Sequence, residues 1–154
     1  DTFVLPEAKF DERVMVVPGT DGQKMSKSYN NFIDIFLPEK NLRKQVMGII
    51  TDSKSLEEEK DAESCNVFNL YKLLGSENQT ADLRSQYEGG NFGYGHAKQA
   101  LYDLVIEKFS LQREKFNYFM QNKDEIEKEL QKGAEKARII AQNVLRRVRS
   151  QVGY

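Results

Sequence analysis

Residues 97–120, Ala-Lys-Gln-Ala-Leu-Tyr-Asp-Leu-Val-Ile-Glu-Lys-Phe-Ser-Leu-Gln-Arg-Glu-Lys-Phe-Asn-Tyr-Phe-Met, decide the fold class of this chain. The apolar positions Ala97, Leu101, Leu104, Val105, Phe109, Phe116, Phe119 and Met120 recur at helical spacing with few breakers between them. The pattern predicts one long amphipathic helix. Downstream, Ala137, Ile140, Ala141, Val144, Leu145, Val148 and Val152 form a second stripe, and a last helix from about 134 to 152 follows. Between the two, residues 123–132 mix charges at helical spacing (Glu125 with Glu129, Glu127 with Lys128 and Gln131), which reads as a solvated face.

Upstream the helical signal persists. Residues 80–88 read as a short helix closed by Gly89-Gly90. Asn66 to Leu74 is apolar on most sides and reads as the central buried helix, stopped at Gly75. Ser55-x-x-Glu58 has the spacing of a capping box for a short acidic helix. Leu42, Val46, Met47 and Ile50 predict a helix ending near Thr51-Asp52-Ser53, and Asn30-Asn31 reads as the cap after which the chain turns helical. Before that point the character changes. Phe3-Val4-Leu5 and Arg13-Val14-Met15-Val16-Val17 read as strands, and Pro18-Gly19-Thr20-Asp21-Gly22 packs turn-formers together. The expectation is a mainly α protein: a bundle of five or six helices preceded by a short β/loop segment.

Composition narrows the function classes. The 154 residues are 31% charged, with a net charge of -1, so no global basic excess argues for nucleic acid and position matters more than total. No apolar run nears the roughly 18 residues of a membrane span. Cys65 stands alone, which rules out an internal disulfide and a cysteine-rich metal site; a buried small apolar residue is the expected role. The start at Asp1-Thr2-Phe3 lacks an initiator Met and a signal-peptide layout, so the chain reads as a piece of a longer protein.

One loop carries chemistry. Lys24-Met25-Ser26-Lys27-Ser28 sets two ammonium groups three residues apart among small hydroxyls, on a stretch preceded by glycine. Lysines on long stems can reach over a polyphosphate, and serine hydroxyls can donate without blocking close approach. Such a loop suits stabilising the charge that builds on a leaving pyrophosphate, and its mobility would let it close and reopen. Composition alone favours a solvated surface loop with two lysines.

The order of residues resembles more. Lys24–Ser28 matches at all five positions the second signature of class I aminoacyl-tRNA synthetases. Val17-Pro18-Gly19-Thr20-Asp21-Gly22-Gln23, Thr51-Asp52-Ser53, Tyr87-Glu88-Gly89-Gly90, Gly93-Tyr94-Gly95 with Lys98, and Gly133-Ala134-Glu135-Lys136-Ala137-Arg138 are similar to bacterial-type tryptophanyl-tRNA synthetases. The resemblance spans essentially the whole chain. It implies that residues 1–36 are the edge of a Rossmann-type nucleotide-binding domain and residues 37–154 a helical tRNA (anticodon)-binding domain. It implies ATP with Mg2+ as co-substrate, tryptophan and tRNA(Trp) as substrates, and a cytoplasmic, homodimeric full-length ligase with no membrane association. Lys27 would stabilise transition-state charge at the leaving phosphates and Lys24 would assist. Met25 and Ser26 would meet the nucleotide through backbone groups, and Ser28 would bind phosphate or shape the loop. No protein-held metal is expected.

The family's other signature, a His-containing motif after the first strand, is missing; the lone His96 fits the first turn of the long helix and not catalysis. The isolated chain is therefore expected not to activate an amino acid. On the last helix, Arg138, Arg146 and Arg149 occupy one flank and Lys136 and Arg147 the other. Basic residues near a helix C-terminus also favour its dipole, so composition leaves a solvated face and a phosphate-binding face equally open. The resemblance favours tRNA contact by these five residues. Tyr102, Tyr118 and the long helix's phenylalanines could stack bases, but their spacing predicts core packing, and Asp52 is expected in a cap or turn. The rival readings are a tyrosyl synthetase segment, against which Gly133–Arg138 argues, and a non-enzymatic helical tRNA-binding module or purely structural bundle.

Overall fold

A computed structural model describes residues 5–9 and 16–153. Six helices are present among them: α1 (Glu39–Met47), α2 (Asn66–Leu74), α3 (Glu77–Glu88), α4 (Tyr94–Lys108), α5 (Ser110–Gln121) and α6 (Lys123–Val152). The protein is mainly helical, as the periodicity predicts. Most of both expected strands lies outside the described residues; Leu5, Val16 and Val17, which are described, are not in a strand. The only described β pairing is an antiparallel bridge between Pro18 and Lys24. The chain forms two compact units, Asp11–Arg113 and Glu114–Tyr154 with Asp1–Phe10.

The core belongs to the first unit. α4 packs on α1 and α2, and α2 on α3. Phe68, Val67, Leu42, Val46, Ile49, Leu101 and Tyr87 are all but completely buried. The Tyr87 ring meets Phe68 edge-on at 5.8 Å, its hydroxyl lies 3.3 Å from the sulfur of buried Cys65, and Tyr94 flanks its other side at 6.1 Å. Buried aromatics of this size dominate a small core, and the hydroxyl finds a polar partner.

Several boundaries differ from expectation for identifiable reasons. α1 stops at Met47, because Gly48 N–H bonds back to Lys44 and Gln45 and the Ile50 N–H is taken by the Thr20 carbonyl at 2.8 Å. Ile49, not Ile50, is buried there. No helix follows Asn30-Asn31; α1 begins eight residues later, at Glu39. Ser55–Glu58 does form half of its box, the Ser55 N–H donating to Glu58 Oε2 at 2.6 Å, but no helix grows from it. Instead the Lys60 ammonium, on a residue only 3% exposed, donates to the carbonyls of Ser55, Leu56 and Glu58 at 2.8, 3.3 and 2.9 Å. Those are carbonyls a helix would use itself. α3 starts three residues early through a complete capping box between Ser76 and Gln79.

The long helix of residues 97–120 is two. It breaks at Phe109, where Ser110 Oγ donates to the Glu107 carbonyl at 3.0 Å, a local bond that competes with the helical ladder. Arg113, on the first turn of α5, donates to the carbonyls of Ile35 and Leu37, the latter at 3.0 Å. α6 begins at Lys123, not near 134, and includes the mixed-charge stretch; Asp124 and Glu125 sit in its first turn, where its dipole favours them. Phe116, Tyr118 and Phe119 are exposed, so they do not pack in a core within the described residues.

Candidate functional site

The site grows from the turn-rich stretch before Lys24. Gly19 N–H donates to the Gln23 carbonyl at 2.7 Å and Met25 N–H to Val17 at 2.9 Å, closing a narrow hairpin-like loop. Gly22 turns it with φ of 80°, a conformation that side-chain-bearing residues rarely adopt. Thr20 then ties the loop to its surroundings, its N–H donating to the Asn31 carbonyl at 2.7 Å and its carbonyl accepting from Ile50. Asn66, the first residue of α2, donates from Nδ2 to the Gly19 carbonyl at 2.7 Å. Its Oδ1 is buried and has no hydrogen-bond partner among the described residues.

On this base the pentapeptide is presented outward. Lys24, Lys27 and Ser28 are exposed; Met25 and Ser26 are half-buried, and Met25 packs against the core. Ser26 Oγ and Ser28 Oγ lie 2.9 Å apart. Neither lysine ammonium makes a hydrogen bond or ion pair with another described residue, so both are available to an anion. The arrangement offers two exposed cations and two hydroxyls over a backbone that is held in place. That combination can bind and neutralise phosphate oxygens.

The backbone is held by two residues that sequence reasoning did not single out for it. Asn31, buried to 3% exposure, accepts the Ser26 N–H at 2.7 Å and donates to the Lys24 carbonyl at 3.1 Å and to Asp21 Oδ1 at 2.8 Å. The Asp21 carboxylate also accepts the Gln23 N–H at 3.0 Å, and the hydrogen bond from Asn31 is the main cause holding its pKa below the ordinary 3.8. The one legible signal was an asparagine near the loop's end, read as a helix cap.

The five basic candidates lie on α6. At about 100° per residue, Arg138, Arg149 and Arg146 fall within roughly 80° of arc, and Lys136 and Arg147 share a line on the opposite flank. All five are exposed. Arg146 and Arg149 line an open depression with Gln142, Leu145 and Ser150. The apolar stripe between the flanks is exposed too: Leu130 61%, Ile140 67% and Leu145 46%.

The other residues singled out take structural places. His96 is exposed in the first turn of α4, its ring 5.7 Å from that of Phe92. Asp52 accepts the Lys54 N–H in a turn and the Tyr94 hydroxyl at 2.6 Å. No group of three or more His, Cys, Asp or Glu among the described residues is arranged to hold a metal ion. No described helix is long and apolar enough to cross a membrane.

Comparison with known proteins agrees with the loop. A family described as tRNA synthetases class I (W and Y) matches residues 2–110. A tryptophan–tRNA ligase of Campylobacter jejuni is 46% identical over 153 residues, 99% of this chain and 48% of that protein. One from Fusobacterium nucleatum is 42% identical over 151 residues, 98% of this chain and 46% of the relative. A crystal structure of the Campylobacter jejuni tryptophanyl-tRNA synthetase complexed with ADP and tryptophan matches with a TM-score of 0.87, over 99% of this chain and 48% of that one. The chain thus spans about half the length of the curated relatives it matches. With an intact Lys24–Ser28 loop and a family match over more than half of its length, the chain belongs to the class I tRNA synthetases of the W and Y family.

Proposed function

We propose that this segment supplies the ATP-facing loop and the tRNA-facing helices of a tryptophan–tRNA ligase. The observation that carries the reading is the loop itself: Lys24 and Lys27 project as exposed ammonium groups from a backbone pinned by Asn31. The Campylobacter relative was crystallised with ADP and tryptophan, an adenine nucleotide and the amino acid that the reading calls for.

In that step a carboxylate oxygen of tryptophan attacks the α-phosphorus of ATP. The bond from that phosphorus to the bridging oxygen breaks, and pyrophosphate leaves with the electron pair. A ribose hydroxyl of tRNA(Trp) then displaces AMP from the adenylate. Negative charge grows on the leaving phosphates as the first bond breaks, so cations placed there lower the barrier. Lys27 is assigned this role and Lys24 assists. Met25 and Ser26 contact the nucleotide through backbone groups, and Ser28 donates to phosphate. Mg2+ would come with the phosphates and share in neutralising them.

In this reading residues 1–36 serve the nucleotide-binding domain and residues 37–154 the tRNA. Lys136, Arg138, Arg146, Arg147 and Arg149 meet tRNA phosphates, supported by their exposure on two flanks of one helix. Kinship with the family supports a cytoplasmic homodimer as the working form. The test is ATP–pyrophosphate exchange by a polypeptide of full family length carrying this segment. Exchange that depends on tryptophan and not on tyrosine is expected, with none from the 154-residue chain alone. Tyrosine-dependent exchange would make it a tyrosyl enzyme, and no exchange with either amino acid would sink the reading.

A further inference from the structure

We propose that Asn31 is the positioning residue of the Lys24–Ser28 loop, its side-chain amide fixing the backbone from which both lysines project. The proposal deepens the ATP-loop reading above and rests on it. Asn31 is 3% exposed although Tyr29 and Asn30 beside it are exposed. Both ends of its amide are engaged. Oδ1 accepts the Ser26 N–H at 2.7 Å, and Nδ2 donates to the Lys24 carbonyl at 3.1 Å. These two backbone groups flank Met25, so one amide braces the first half of the pentapeptide. The Asn31 carbonyl accepts the Thr20 N–H at 2.7 Å and ties the loop's exit to its entry.

Two neighbours make the fit specific. A Cβ at Gly19 would come within 2.5 Å of Asn31 Cγ and Nδ2, so only a residue without a side chain leaves the amide its seat. Asp21 Oδ1 lies 2.8 Å from Nδ2 and, as an acceptor, fixes which way round the amide sits. Aspartate at position 31 could accept from Ser26 but would face Asp21 with a second carboxylate; leucine could do neither. Every side-chain bond of Asn31 goes to residues 21–26, and none to a helix. Its loss should therefore loosen the loop while leaving the helical core folded. The chemical consequence follows from geometry: an ammonium displaced by even about 1 Å from the leaving phosphates forfeits transition-state stabilisation, while binding of the amino acid elsewhere is untouched.

The test has two arms. In the 154-residue chain, amide hydrogen exchange read by NMR should show Ser26 N–H protected, and Asn31→Ala should abolish that protection without changing amides inside α2 and α4. In the family-length polypeptide, Asn31→Ala and Asn31→Asp should each lower kcat for ATP–pyrophosphate exchange by about 10²-fold, with KM for tryptophan unchanged and the helical circular-dichroism signal retained. An unprotected Ser26 amide in the unaltered chain overturns the proposal, whatever the variants do. So does a kcat for Asn31→Ala or Asn31→Asp within about twofold of the parent. Lys27→Ala separates the two failures. If it abolishes exchange while the Asn31 variants are active, only the positioning role falls; if it too is without effect, the ATP-loop reading falls.

Discussion

Lys60 shows how one side chain redirects a segment. Its ammonium collects three carbonyls and lies 5.4 Å from the centre of the Tyr94 ring, in a loop whose Glu57 carbonyl presses on Gly90 at a distance that excludes a Cβ. Lys60→Met keeps the length and removes the donors, leaving those carbonyls unsatisfied. A loss of about 1–3 kcal/mol is expected in urea unfolding of the chain, more than an ordinary surface lysine would cost. Titration should show the neighbouring tyrosines. Burial, then the bond with Cys65, raises the Tyr87 pKa above its ordinary 10.0; burial, then the bond to Asp52, does the same for Tyr94. A folded state that keeps protons the unfolded chain gives up is stabilised below pH 10 and loses that advantage as pH rises further. The melting temperature should fall above about pH 10, and Tyr87→Phe should flatten that fall. At the acid end, the Tyr94 hydrogen bond chiefly holds the Asp52 carboxyl below 3.8, so its contribution is present above that value and disappears as pH falls below it. None of this partnering was legible in the sequence, because Lys60, Tyr87 and Asp52 meet only after the chain has folded.

At the scale of elements, reading was most faithful where a stop signal coincided with the periodicity. α2 runs from Asn66 to Leu74 with Gly75 following, as the apolar run and the glycine predict. It failed where a tertiary bond decided the end: the Thr20 carbonyl at Ile50, the Lys60 ammonium at residues 55–58, and Ser110 at the Phe109 break. α6 extends eleven residues further upstream than its apolar stripe, through Gly133, which local propensity disfavours. Among the described residues, nothing lies within 4 Å of a Cβ at Gly133. Gly133→Ala should therefore add about 0.8–1 kcal/mol to helix stability, read as higher helical ellipticity or slower amide exchange in α6. A drop in α6 stability would show that the glycine meets something that its open surroundings do not reveal.

For the molecule as a whole, burial is uneven. Among the described residues, the unit Asp11–Arg113 holds every buried core residue, whereas neither α5 nor α6 contains one. Amides in α2 and α4 should thus outlast those in α6 in hydrogen exchange, since opening α6 exposes little that is buried. The candidate site divides in the same way. The pentapeptide was fully legible, because its chemistry lies in five consecutive side chains. Its bracing was not, because Gly19, Asp21 and Asn31 act together only through the fold. The flanks of α6 were legible as a pattern, while their partner rests on kinship. If Lys24–Ser28 is the proposed ATP-phosphate loop, Lys27 carries most of its effect. The deciding measurement is the tryptophan-dependent ATP–pyrophosphate exchange rate of a family-length polypeptide with and without Lys27→Ala. A fall in kcat of about 10²–10³-fold, with KM for tryptophan little changed, is the predicted result; a rate equal to that of the unaltered protein would contradict it.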